Sequence, residues 1–78
     1  MKDVLQTIIE TLVEDKANIE ITEKEEERQV LFEVRVAKSD MGRVIGKNGK
    51  TSTSIRTLIQ AYAAINKMPK VKINIDSF

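Results

Sequence analysis

The residues whose types and spacing could do chemistry lie in one stretch, Gly42-Arg43-Val44-Ile45-Gly46-Lys47-Asn48-Gly49-Lys50. Gly46 and Gly49 stand three apart. Each can take backbone angles closed to other residues, and neither has a Cβ to hold a ligand away. A phosphate can therefore lie directly against the backbone, and a helix that begins near Lys50 turns its unpaired N–H groups and positive dipole end to the same place. Lys47, between the glycines, and Lys50, just after them, supply countercharge. Arg43, one helical turn before the loop, is placed to reach a flanking phosphate or to stack on a base. These parts fit an anion site read by the backbone. A bare G-x-x-G is more often a tight turn. Three contexts separate this one: the apolar pair Val44-Ile45 precedes it, it joins two helices, and basic residues lie in and beside it.

Other phosphate loops do not fit. Gly46-Lys47-Asn48-Gly49-Lys50-Thr51 shares the G-K-T ending of a Walker A loop, but that motif needs a glycine five positions before Gly49, where this chain has Val44. A dinucleotide fingerprint needs G-x-G-x-x-G leaving a strand, and Gly42 lies four positions from Gly46. The chain has no His and no Cys, and no motif pairs a nucleophile with a base, so no enzyme, cofactor or metal site is expected. Asp40 and the run Thr51-Ser52-Thr53-Ser54 read as helix-capping groups.

The elements that must position this loop follow from periodicity. Val4, Leu5, Ile8, Ile9, Leu12 and Val13 recur at helical spacing and predict a helix over about 2–15. Ile19 and Ile21 alternate with polar residues in a short strand, and Glu23 to Arg28, with nothing apolar to bury, reads as an exposed hairpin tip. Val30, Phe32, Val34 and Val36 then point one way, with Leu31, Glu33 and Arg35 the other. Ser39-Asp40 can cap a short helix over Met41–Ile45, which Gly46 stops. A longer helix runs from Lys50–Ser52 to about Asn66, with Ile55, Leu58, Ile59, Tyr62, Ala63 and Ile65 as its apolar stripe. Pro69 ends that segment, and Val71, Ile73 and Ile75 alternate in a closing strand. The order is α-β-β-α-α-β in a single α+β domain over 1–78. Three helices pack on one face of a three-stranded mixed sheet, with 29–37 in the middle.

Val44-Ile45-Gly46-Lys47-Asn48-Gly49 resembles the V-I-G-x-x-G signature of KH domains, and the element order is similar to the type II, prokaryotic form of that fold. Ser39 to Lys47, followed by Ile55-Arg56-Thr57-Leu58, resembles the small bacterial KhpA family, and the likeness covers essentially the whole chain. One departure is Thr51, opening a polar first turn where such domains commonly place an apolar residue. The resemblance implies binding of single-stranded RNA, in the manner of an RNA chaperone or regulator. The loop clamps the backbone of about four nucleotides while their bases lie along an apolar groove. Gly46, Lys47, Asn48 and Gly49 would form the clamp, Val44 and Ile45 would border the groove, and an edge of the middle or last strand would form its other wall. A homodimer and a heteromer with a second KH-containing protein are the partners it implies.

Composition agrees with that mode of binding. Residues 1–37 carry five Lys/Arg against ten Asp/Glu, and residues 38–78 eight against two, so halves of −5 and +6 underlie a net charge of +1. The basic half can attract a polyanion although the whole is nearly neutral. The aromatics are Phe32, Tyr62 and Phe78, and the first two read as core, too few for stacking bases on a sheet. No apolar run approaches the ~20 residues that span a bilayer, Met1 to Thr7 lacks a signal peptide's apolar segment, and the expected compartment is the cytoplasm. The competing reading is a protein-interaction module that keeps this fold mainly to dimerise, through the smooth patch left by Ala61 and Ala64. Such a module would show a degraded loop, whereas here both glycines and Lys47 are present.

Overall fold

Alternation in the strands and the apolar stripe of the first helix decide what this chain buries. In the computed structural model, which describes residues 2–78, the elements are α1 (Lys2–Leu12), β1 (Ile19–Glu25), β2 (Gln29–Val36), α2 (Met41–Ile45), α3 (Lys50–Ile65) and β3 (Lys70–Ser77). Met1, the first residue of the expected 1–78 domain, lies outside the described residues. Single 3₁₀ turns, Lys38–Asp40 and Lys47–Gly49, lead into α2 and α3. The sheet order is β1-β2-β3, with β1 antiparallel and β3 parallel to β2, so the fold is the expected mixed three-stranded sheet in an α-β-β-α-α-β order.

Val30, Phe32, Val34 and Val36 of the central strand are all buried. They join Ile21, Val71 and Ile73 from the flanking strands, Leu5, Ile9, Val44, Ile55, Ile59 and Ala63 from the helices, and Val13 just past α1 in one cluster. One strand outgrows its side chains' preferences. β1 continues to Glu25, pairing Glu23 with Phe32 and Glu25 with Val30, so the hairpin tip narrows to Glu26–Arg28, closed by Glu26 N–H donating to the Gln29 carbonyl at 2.8 Å. Ladder hydrogen bonds hold these charged residues on an edge strand, where charge also discourages pairing with other chains.

Helix α3 buries a different stripe from the one expected. Ser52, Ile55, Ile59 and Ala63 face the core. Leu58 is 58% exposed, Tyr62 38% and Ile65 81%, so these three leave the core list. At about 100° per residue they form a second stripe beside the first, and only one of two adjacent stripes can face the sheet.

Helix α1 ends at Leu12, three residues short of expectation, and the reason lies across the molecule. A helix continuing through Glu14 and Asp15 would send their N–H groups to carbonyls four residues back. Both instead donate to the Asp40 carboxylate, at 3.1 and 3.0 Å. Asp40 thus makes no side-chain cap to α2, contrary to its expected role. Its side chain is 1% exposed and fastens the α1–β1 loop to the segment that precedes the glycine loop. The donated Glu14 and Asp15 amides hold its carboxyl below the ordinary aspartate range. Burial opposes the shift, and the charges of Arg43 and Lys16 assist it. A group whose pKa is lowered on folding stabilises the fold above its unfolded value, about 4 for aspartate, and loses that contribution as pH falls through the folded value. Asp40→Asn is therefore expected to melt below the parent at pH 7. The gap should hold steady above about pH 5 and narrow as pH falls below about 4. Thermal melts across that range check it, and a gap independent of pH contradicts it.

Candidate nucleic-acid interface

The loop between α2 and α3 is built from residues that tolerate positive φ. Gly46 takes φ 75° and ψ 174°, a combination closed to side-chain-bearing residues. Asn48 (φ 56°) and Gly49 (φ 75°) are left-handed, which Asn and Gly accept at least cost. Gly46 N–H closes α2 on the Gly42 carbonyl at 2.9 Å, and Gly49 N–H donates to the Gly46 carbonyl at 3.2 Å. Lys50 N–H donates to the Lys47 carbonyl.

This bonding commits amides on which the expected anion seat relied. The amides of Gly49 and Lys50, at the start of α3, are taken by the loop's own carbonyls. Lys47 and Asn48 open the 3₁₀ turn and, like the first donors of any helical turn, have no acceptor within it; among the described residues their N–H groups take no backbone acceptor outside it. Both residues are exposed, Lys50 beside them is exposed, and α3 takes no side-chain cap at its N-terminus.

The polar first turn of α3 supports the loop from behind. A Cβ placed on Gly46 would stand 2.7 Å from Thr51 Cβ and 2.8 Å from Thr51 N, so Thr51 fills the space that the missing side chain leaves. Ser52, buried, donates its hydroxyl to the Gly49 carbonyl at 3.0 Å, and Ser54 donates to the Lys50 carbonyl at the same distance. These hydroxyls do not act as the expected caps. They donate to carbonyls rather than accept from amides.

Two other expected members sit differently. Val44 is 0% exposed within the core, so it shapes the loop from beneath and cannot border a groove; Ile45 is half-buried. Arg43 donates to Glu14 Oε1 at 2.7 Å and to Asp40 Oδ1 at 3.4 Å, so its guanidinium is turned to the end of α1 rather than free beside the loop.

The periodicity did not single out Arg56. It lies one step off the core stripe of α3 and donates its Nε–H to the Ile73 carbonyl at 3.3 Å. Together with Gln60 and with Lys70, Lys72 and Ile73 of β3, it lines a concavity of about 310 Å³ between the helix and the edge strand. The last strand is thus the wall opposite α3 and Arg56 lies between them, while the side chains of Lys70 and Lys72, alternating with buried Val71 and Ile73, point to the other face of the sheet. The only available signal was the basic bias of the second half. Among the described residues no group of three or more His, Cys, Asp or Glu could hold a metal ion, and no helix is long and apolar enough to cross a membrane.

A sequence profile described as "KhpA/KhpB, KH domain" matches residues 2–75. The chain belongs to this KH family. It is 39% identical over 75 residues to the RNA-binding protein KhpA of Clostridium acetobutylicum, covering 96% of this chain and 99% of that one. It is 40% identical to the KhpA of Chlamydia caviae, covering 96% and 95%, and 35% identical to that of Listeria monocytogenes, covering 96% and 97%. Among solved structures, a crystal structure of an Aquifex aeolicus Era variant bound to GDP and AlF4⁻ superposes with a TM-score of 0.64 at 13% identity. It covers 97% of this chain, which spans only 30% of Era's length, so that likeness speaks for the fold alone.

For the KH loop the local geometry makes unequal demands on its glycines. Gly46→Ala meets both the positive φ and the backbone of Thr51, and is expected to cost at least about 2 kcal/mol. Gly42→Ala, in helical backbone with nothing within 4 Å of a new Cβ, is expected to gain about 0.5–1 kcal/mol. Urea unfolding of the two variants checks the ranking, and equal effects contradict it.

Proposed function

We infer that the chain is a single KH domain that binds single-stranded RNA, gripping the sugar–phosphate backbone at the loop Gly46-Lys47-Asn48-Gly49 and laying the bases between α3 and β3. The observation that carries this reading is the pair of amides on Lys47 and Asn48, two exposed residues whose N–H groups take no backbone acceptor outside the turn among the described residues, with the Lys47 and Lys50 side chains exposed alongside. Amides fixed before the ligand arrives lose no conformational freedom on binding, and charge-assisted bonds to phosphate oxygens are stronger than neutral ones. The relatives named as RNA-binding proteins point to the same ligand. The chain carries the machinery of a binder and not of a catalyst, and acts as an RNA chaperone or regulator in the cytoplasm.

With few basic groups at the loop, affinity is modest and falls with salt. Pairing raises it. The family description names KhpA and KhpB together, which supports a second KH-containing protein as a partner. The exposed stripe Leu58, Tyr62 and Ile65 favours a second reading, in which α3 also brings two copies together. Two linked clamps on one strand bind more tightly than either alone.

One double variant separates the loop from that stripe. Lys47→Asp with Asn48→Asp is expected to lower affinity for a short oligouridine at least about tenfold. The slope of log K against log salt should become shallower by about 0.7 for each phosphate that the variant no longer neutralises. Its circular dichroism and sedimentation should stay those of the parent. Undiminished RNA binding overturns the clamp.

A further inference from the structure

The groove between α3 and β3 has an open strand edge as one wall, and an edge strand presents unpaired backbone groups. Which residues present them follows from two bonds. Phe78 N–H donates to the Val36 carbonyl, so the even-numbered residues of β3 turn their backbone groups toward β2. In an extended strand successive residues alternate sides, which turns Val71, Ile73 and Ile75 to the open edge. The Arg56 bond to the Ile73 carbonyl agrees with that placement.

An open edge offers a ligand both acceptors and donors. Here Arg56 engages the acceptor at mid-strand. Only its Nε is used in doing so. Among the described residues its two terminal nitrogens take no protein partner, and the side chain is half-buried in the concavity, where the planar fork is held rather than free to sweep. The groove at this point therefore presents donors: the Ile73 N–H and the two outer edges of a guanidinium. Arg56 lies seven residues beyond Gly49 on the helix, about 10 Å along its axis, within the reach of the about four nucleotides that a KH loop holds.

We propose that Arg56 makes the groove selective for guanine, by offering its guanidinium fork to the O6 and N7 acceptors of a base lying between α3 and β3. Guanine presents two adjacent acceptors on that edge, which matches the spacing of an arginine fork. Adenine puts an amino donor where O6 would be, so donor meets donor; uracil has no two adjacent acceptors, and the adjacent pair of cytosine, N3 and O2, lies on its Watson–Crick edge, which 7-deazaguanosine leaves out of the comparison. The Ile73 carbonyl, which could receive the adenine or cytosine amino group, has one of its two lone pairs taken by Arg56. The Arg56–Ile73 bond thus acts on specificity twice, by supplying the fork in a fixed orientation and by competing for the acceptor that would favour the other bases.

The inference rests on the loop being the backbone clamp, and the test separates the two. Binding of the intact protein is measured to short oligouridines carrying one guanosine, adenosine or cytidine at successive positions. Guanosine at one position is expected to bind about tenfold more tightly than adenosine there. Replacing it with 7-deazaguanosine, which removes only the N7 acceptor, should erase most of that preference with no change to the protein. Arg56→Met, which keeps the side chain's bulk and removes its fork, should erase it as well, read as the ratio of guanosine to adenosine affinity within the variant, so that any loss shared with plain oligouridine through the missing charge cancels. Binding to every oligonucleotide with no guanosine preference, or with one that Arg56→Met and 7-deazaguanosine both leave intact, overturns this proposal and spares the clamp. Binding to none of them overturns the clamp and the proposal with it.

Discussion

Three positive φ angles within four residues, at Gly46, Asn48 and Gly49, are the constraint on which the rest of this structure depends. They let the chain leave α2 and enter α3 without an intervening strand or long loop. They also leave the consecutive amides of Lys47 and Asn48, set between two glycines, without a backbone acceptor outside the turn among the described residues. The turn is held from inside by its own bonds: Gly46, Gly49 and Lys50 commit their N–H groups to nearby carbonyls of α2 and the turn. What remains uncommitted, on Lys47 and Asn48, is what a phosphate can use. A turn with looser internal bonding would have more free donors but no fixed direction for them, and preorganised donors are worth more to a ligand than mobile ones.

The remainder of the fold keeps that turn in place. Val44 anchors it to the core from one side and Ile55 from the other, while Thr51 occupies the space that Gly46 leaves. Asp40 extends the support to α1, because the amides of Glu14 and Asp15 converge on its buried carboxylate and Arg43 adds bonds to Asp40 and Glu14. The acidic N-terminal half of the chain is thus not idle against the basic half. Part of its charge fixes Arg43, which leaves Lys47 and Lys50 as the cations beside the loop and Arg56 along the groove. A buried carboxylate tied by backbone donors is costly to leave unpaired, so this joint couples the α1–β1 connection to the geometry of the site.

Much of this was legible in the residues because it depends on neighbours in sequence. The alternation Val30, Phe32, Val34, Val36 could belong only to a strand with one buried face, and Gly46 and Gly49 marked the loop by the conformations they alone permit. The misreadings come from long-range packing that sequence spacing does not encode. Ser39-Asp40 before a helix has the local form of a cap, but Asp40 is claimed by amides twenty-five and twenty-six residues away. Helix α3 carries two apolar stripes side by side, and only the position of the sheet decides that Ile55 and Ile59 go in while Leu58, Tyr62 and Ile65 stay out. Thr51 reads as a departure from the family pattern, yet it packs against Gly46 at the loop's other end. Arg56 acquires its place only when β3 brings the Ile73 carbonyl beside it.

The central claim concerns two particular hydrogens, and amide-resolved NMR observes them directly. With the chain labelled in nitrogen-15 and titrated with a short oligouridine, the Lys47 and Asn48 amide protons are expected to show the largest downfield shifts, the signature of new bonds to phosphate oxygens. The amides of Gly49 and Lys50, already bonded within the turn, should move less. Saturable RNA binding that leaves Lys47 and Asn48 unmoved, with the shifts gathered on the outer face of the sheet, would contradict the account.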